Sequence, residues 1–271
     1  MQNIMDSIIQ GVIEGLTEFL PVSSTGHLIL SGKLLGFTGD KADTFEIVIQ
    51  LGAILAVAVI YWKRILNLLG LLQMETTTTP SGKKLNIIHL IIACVPAMGL
   101  GLVLHSIIKD YLFSPYTVLI GLVVGGIFML FGQKQQPKEE AVDVDQITYK
   151  QALFIGLYQC LALWPGFSRS GATIAGGLLS GVSYRASTNF SFLIAIPMMF
   201  AASGYELLKS YETFTSSDTA FFVTGFIVAF VVAFLAVFTF LKLLQKFKLA
   251  PFAYYRFVLA AVFLLYLLIN G

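Results

Sequence analysis

Six stretches of this 271-residue chain are apolar over the length a helix needs to cross a bilayer: Phe45 to Trp62, Leu85 to His105, Tyr116 to Phe131, Phe190 to Leu208, Phe221 to Leu243 and Phe252 to Ile269. A hydrocarbon core about 30 Å thick takes about 20 helical residues to span. In lipid every backbone N–H and C=O must find a partner within the protein, so segments of this kind are helices. Composition agrees, since 57% of residues are hydrophobic and 12% charged, more apolar surface than a soluble domain buries. Pro96 and Pro197 fall inside two spans, where membrane helices tolerate kinks. The opening MQNIMDSIIQ lacks a positive n-region and a small-residue cleavage site, so no cleavable signal peptide is expected. Cys94 and Cys160 lie in apolar segments without CxxC spacing and read as small buried hydrophobes. A net charge of +2 without a basic block gives no support for nucleic-acid binding.

Four shorter stretches do not fit the spanning pattern. Ile4 to Leu20 contains Asp6, Glu14 and Glu18, and Ser24 to Gly36 is too short to cross at about 1.5 Å per residue. Gln151 to Leu163 and Ser168 to Gly181 repeat the arrangement. Each pair reads as a re-entrant helix, turn and helix that enters and leaves by one face, a geometry tolerated only inside protein or beside a water-filled cavity.

An offset of 145 residues places Gly11, Leu16, Ser23, Gly26, Ile29, Gly32, Leu34, Gly36, Phe45 and Ile49 on Gly156, Leu161, Ser168, Gly171, Ile174, Gly177, Leu179, Gly181, Phe190 and Ile194. The chain is thus expected to be a single integral membrane domain over 1–271 with repeat halves of about 1–132 and 150–271. Each half holds one re-entrant pair and three crossings, and an odd number of crossings inverts the second half. The expected fold is an all-α polytopic membrane protein, six transmembrane helices plus two re-entrant helix-turn-helix pairs in an inverted-topology repeat. Lys63, Arg64, Lys83, Lys84, Lys134, Lys138, Lys150, Arg185, Lys242, Lys246 and Lys248 fall on one side, and Lys41, Lys109 and Lys209 on the other. The positive-inside rule makes the first side cytoplasmic and puts both termini outside. The polar loops Gln73 to Lys84, with its run Thr76 to Thr79, and Gln133 to Tyr149 read as connectors.

Chemistry concentrates at the two breaks, EGLTEFLPVSSTGH over Glu14 to His27 and WPGFSRSGAT over Trp164 to Thr173. Glu14 and Glu18 are four apart and share a helix face, a costly placement unless a proton or cation joins them; such oxygen ligands suit Mg²⁺ or Ca²⁺. Pro21 ends the first short helix, and Ser23 or Ser24 caps the next, whose free N–H groups make an anion site. A cap accounts for one serine, not for Ser23, Ser24 and Thr25 together with His27. Ser24 and His27 are three apart, which lets the imidazole approach the hydroxyl or a bound phosphate. Arg169, between Ser168 and Ser170 and one turn before Thr173, reads as a counter-ion to Glu14 or Glu18 and as a phosphate clamp. Elsewhere, His89 and His105 read as interfacial, and Tyr61, Trp62, Lys63 and Arg64 as an anchor belt. Gln50 and Gln159 are placed to line a cavity, and Arg256 to snorkel. The run Gly121 to Gly126 can pack helices within one chain or between two, leaving a homodimer open.

These two motifs, together with FEIVIQLGAILAV, LYQCLALWPGFSRSGATIAGG, FSFLIAIPMM and PFAYYRF, resemble the bacterial undecaprenyl-diphosphatase, or bacitracin-resistance, family over essentially the whole chain. The resemblance implies hydrolysis of undecaprenyl diphosphate to undecaprenyl phosphate for peptidoglycan synthesis, dependence on Mg²⁺ or Ca²⁺, and a site facing the outer side of the bacterial plasma membrane. It implies Glu18, Ser24, His27 and Arg169 as catalytic residues, Ser23, Thr25, Ser168, Ser170 and Thr173 as substrate-binding residues, and Glu14 with Glu18 as metal ligands. A water activated by Glu18 or His27, or the Ser24 hydroxyl itself, is the nucleophile. The competing expectation is a lipid flippase or transporter, because inverted repeats with broken helices are common in transporters.

Overall fold

A computed structural model of the chain describes residues 3–72, 84–135, 141–210 and 218–270. The run Thr76 to Thr79 and the loop cations Lys83 and Lys138 lie outside the described residues. In chain order the helices are α1 (Ile4–Thr17), α2 (Ser24–Leu35), α3 (Asp40–Ile60), α4 (Trp62–Leu68), α5 (Ile87–Ile107), α6 (Pro115–Lys134), α7 (Tyr149–Gln159), α8 (Arg169–Leu179), α9 (Tyr184–Ser210), α10 (Thr219–Phe247) and α11 (Ala250–Asn270). Six of them, α3, α5, α6, α9, α10 and α11, are long and apolar enough to cross a membrane. Their starts follow from local chemistry. Asn86 caps α5 by accepting from the Ile88 N–H at 3.0 Å, and Ser114 caps α6 by accepting from Thr117 N at 3.2 Å, with Pro115 at the first helical position.

The four remaining site-proximal helices are short, 14, 12, 11 and 11 residues for α1, α2, α7 and α8. At about 1.5 Å per residue none reaches across a core about 30 Å thick. α1 ends at Thr17, three residues before the expected Leu20. Pro21 explains the shortening, because it has no N–H for the Thr17 carbonyl and its ring clashes there. Before Pro165 the chain likewise leaves α7 and tightens into a 3-10 turn over Cys160–Leu163.

Around these pairs the long helices pack as a scaffold. α10 lies against both α1 and α3, α7 packs on α5, α6 on α11, α3 on α9, and α8 sits among α6, α7 and α9. Some of these contacts exist because a side chain is missing. A Cβ on Gly52 would stand 2.5 Å from the Phe226 carbonyl oxygen, and one on Gly156 2.5 Å from that of Ala93. The outer surface is apolar, with Val103 79%, Leu268 71% and Val262 62% exposed. A soluble protein does not present that face to water; acyl chains cover it.

Several expectations change. Arg256 does not snorkel: it is wholly buried, and its Nη2 donates to the carbonyls of Gly121 at 3.0 Å and Gly166 at 2.7 Å. A guanidinium finds two backbone acceptors there, which removes the reason to reach for water. The anchor belt is only half one. Trp62 is exposed with Lys63 over its ring, but Arg64 pairs with Asp145 and Tyr61 donates to Asn189 Oδ1 at 2.8 Å. His89 is buried and stacks on Tyr149. In the Gly121 to Gly126 run, Gly121, Gly125 and Gly126 face Pro165, Arg256 and Phe257 of the same chain.

Candidate active site

The two breaks share an unusual backbone. Ser23 and Ser168 have φ of 74° and 75°, and Lys248 is the one other non-glycine residue with positive φ among the described residues. A side chain in that region costs about 1 to 3 kcal/mol and persists only where its surroundings impose it. Both serines cap the helix that follows: Ser23 Oγ accepts from Gly26 N at 3.3 Å and Ser168 Oγ from Gly171 N at 3.2 Å. Ser23, rather than Ser24, is therefore the cap, which leaves the Ser24 hydroxyl free for another partner.

That partner is Glu18. Ser24 Oγ donates to Glu18 Oε2, and Arg169 Nη2 donates to Glu18 Oε1 at 3.3 Å. A hydroxyl and a carboxylate from the first break thus meet a guanidinium from the second, 151 residues away. Glu18 and Ser24 are 8% and 6% exposed, so the contact is largely removed from solvent. Arg169 is further held by the Ser191 carbonyl at 3.2 Å and lies 5.9 Å from the Phe19 ring centre. Its Nε is buried without a hydrogen-bond partner, as are those of Arg64 and Arg256.

Glu18, Ser23, Ser24, Thr25, Ser168 and Arg169 line a cavity of about 220 Å³. Gln50, Gln159, Trp164, Met198 and Met199 also line it. Both glutamines are anchored. Gln50 Oε1 accepts from Ser203 Oγ at 3.0 Å and Gln159 Nε2 donates to the Ala93 carbonyl at 3.2 Å, while Gln159 Oε1 is buried without a partner. The remaining sequence-derived residues stand behind this wall. Ser170 Oγ donates to the Leu20 carbonyl at 3.0 Å, tying the second break to the first. Thr173 is fully buried, 2.7 Å from Ser191 Oγ. Glu14 lies one turn before Glu18, 1% exposed, with Oε1 lacking a partner.

The His27 ring is hydrogen-bonded to groups other than the Ser24 hydroxyl. Its Nδ1 donates to the Ser23 carbonyl at 2.7 Å and its Nε2 lies 2.8 Å from Tyr255 Oη. The three-residue spacing put His27 on the right helix; a side chain from α11 captured its ring. Tyr255 and Ser191 were not singled out from sequence. Each lies in a segment shared with the resembled family, PFAYYRF and FSFLIAIPMM, and that was the only signal available.

Six long apolar helices around a buried hydroxyl, carboxylate and guanidinium define a multi-pass membrane protein whose polar site suits an anionic ligand. Comparison with known proteins supplies the particular family. The chain belongs to the bacitracin resistance protein BacA family, which it matches over residues 7–262. It is 53% identical over 272 aligned positions to undecaprenyl-diphosphatase 1 of Bacillus anthracis, covering 99% of this chain and 100% of the relative. The same identity and coverage relate it to the proteins of that name from Bacillus thuringiensis and Bacillus cereus.

Proposed function

We propose that this chain hydrolyses undecaprenyl diphosphate to undecaprenyl phosphate and inorganic phosphate, recycling the lipid carrier of peptidoglycan synthesis and conferring bacitracin resistance. The observation that carries this reading is the Ser24, Glu18 and Arg169 contact across the two breaks. Glu18 accepts the Ser24 proton as Oγ attacks the terminal phosphorus, and the bond from that phosphorus to the bridging oxygen breaks to release undecaprenyl phosphate. Water then attacks the phosphoserine; phosphate leaves and Ser24 regains a proton. Arg169, which lines the cavity, neutralises the phosphoryl oxygens as charge moves to the leaving group. Ser23, Thr25 and Ser168 offer hydroxyls and helix N-termini to the same oxygens. Ser170 and Thr173 keep these groups in place.

A divalent cation fits the residues present. The acceptors are all oxygens, and buried Glu14 Oε1 has no protein partner. Glu14 and Glu18 would hold Mg²⁺ or Ca²⁺, which would neutralise diphosphate charge when bound. The chain's finer architecture belongs to the same proposal: α1 with α2 and α7 with α8 are re-entrant pairs of an inverted repeat, supported by their lengths and by the matched backbone at Ser23 and Ser168. The site then faces the outer side of the plasma membrane, the undecaprenyl tail lying against the apolar outer surface.

The test is phosphate release from undecaprenyl diphosphate by the detergent-purified chain, compared with Glu18→Gln, Ser24→Ala and Arg169→Ala. Release by the wild type that all three changes abolish, with folding intact, supports the assignment. A wild type inactive with every divalent metal overturns it.

A further inference from the structure

We propose that Tyr255 and Arg256, neighbours on α11, are positioning residues that hold both breaks of the site at once. Tyr255 acts on the first. Its hydroxyl lies 2.8 Å from His27 Nε2, and the two rings are parallel within 2° at 5.7 Å between centres. The other ring nitrogen, Nδ1, sits 2.7 Å from the Ser23 carbonyl. A carbonyl only accepts, so Nδ1 carries the proton, and in the neutral imidazole Nε2 accepts from the Tyr255 hydroxyl. The chain from Tyr255 through His27 ends on Ser23, the residue at φ 74° immediately before Ser24.

Arg256 acts on the second break. Its Nη2 donates to Gly166 O at 2.7 Å and to Gly121 O at 3.0 Å, fastening the turn before Ser168 and Arg169 to α6. Nη1 lies 3.2 Å from Met129 Sδ. Space for the guanidinium is made by Gly125, where a Cβ would stand 2.3 Å from Nη2. Neither residue lines the cavity, so both act through the groups they hold. Consecutive residues on a helix point about 100° apart, which lets one turn of α11 reach two walls. The kinetic part of this inference rests on the phosphatase reading; the spectroscopic part does not.

The test uses full-length protein in detergent, labelled at the histidine ring nitrogens. With three histidines in the chain, loss of one signal in His27→Gln assigns His27. The wild type is expected to show a protonated Nδ1 and a bare Nε2 at a pH where the ring is neutral. Tyr255→Phe, which removes one oxygen, should leave Nδ1 protonated against the Ser23 carbonyl but move the Nε2 resonance, which loses its donor, and lower kcat for undecaprenyl diphosphate about 10- to 100-fold, with KM changed less than twofold. An unchanged Nε2 resonance or an unchanged kcat overturns the role of Tyr255. Arg256→Lys, which keeps one buried donor, should retain more kcat than Arg256→Gln. Equal kcat in wild type and both variants overturns the role of Arg256, and Tyr255→Phe remains the deciding variant should Arg256→Gln fail to fold. A wild type that releases no phosphate overturns the phosphatase reading instead, since the tautomer measurement needs no turnover.

Discussion

Arg169 joins the two breaks through a planar, multiply donating group, and a lysine in its place keeps the charge without that geometry. Arg169→Lys is expected to lower kcat/KM by about 10²-fold, the cost of removing one well-placed charge-stabilising donor; steady-state phosphate release checks it. Ser168 carries two opposing effects. Its hydroxyl caps α8 through Gly171 N, while its positive φ suits glycine better than any side chain. Ser168→Ala loses the cap and keeps the strain, costing about 1 kcal/mol, whereas Ser168→Gly loses the cap but relieves the strain and costs a few tenths. Thermal unfolding in detergent should therefore rank Ser168→Gly above Ser168→Ala. The residues Glu18, Ser24 and Arg169 were legible in sequence as chemical types at the breaks. Which serine capped and which stayed free was not, because both lie beside the same helix end and φ at Ser23 decides between them.

Among the elements, α6 and the second break are in contact because Gly121 has no side chain. A Cβ there would stand 2.3 Å from the Pro165 carbonyl oxygen. Gly121→Ala is expected to force the break away from α6, costing about 1 to 3 kcal/mol and lowering turnover with it. Gly99, in α5, meets nothing within 4 Å of its Cβ position, and Gly99→Ala should leave melting and turnover at wild-type values. Measuring both separates a packing effect from a general intolerance of change in membrane helices. All six long helices were readable as apolar runs, but their ends differ from the expected ones by up to six residues: α9 begins at Tyr184, not Phe190. Polar first and last turns such as Tyr184 to Asn189 carry no hydropathy signal, although they continue the helix.

For the whole molecule, orientation and metal dependence are the quantities to measure. With Cys94 and Cys160 replaced, a single cysteine at exposed Lys209 should react with an impermeant reagent on intact cells, and one at exposed Lys150 only after permeabilisation. The reverse pattern would invert the topology and place the site's entrance elsewhere. Chelation by EDTA should abolish phosphate release, and Mg²⁺ or Ca²⁺ should restore it in the wild type but not in Glu14→Gln. Release that persists through exhaustive chelation would remove the metal from the mechanism.

The amino-acid sequence by itself determined that this chain meets lipid with six helices, since about 20 apolar residues in a row leave the backbone no other way to satisfy its hydrogen bonds. It also determined where polar chemistry sits, because carboxylates, hydroxyls and an arginine in apolar surroundings are too costly to be incidental. Only the tertiary structure decided the partners. Tyr255 meets His27 across 228 residues and Arg256 turns inward to Gly166 and Gly121. Those contacts depend on how α11 is rotated against α6 and α2, an orientation set by the summed packing of all the helices that no local spacing records.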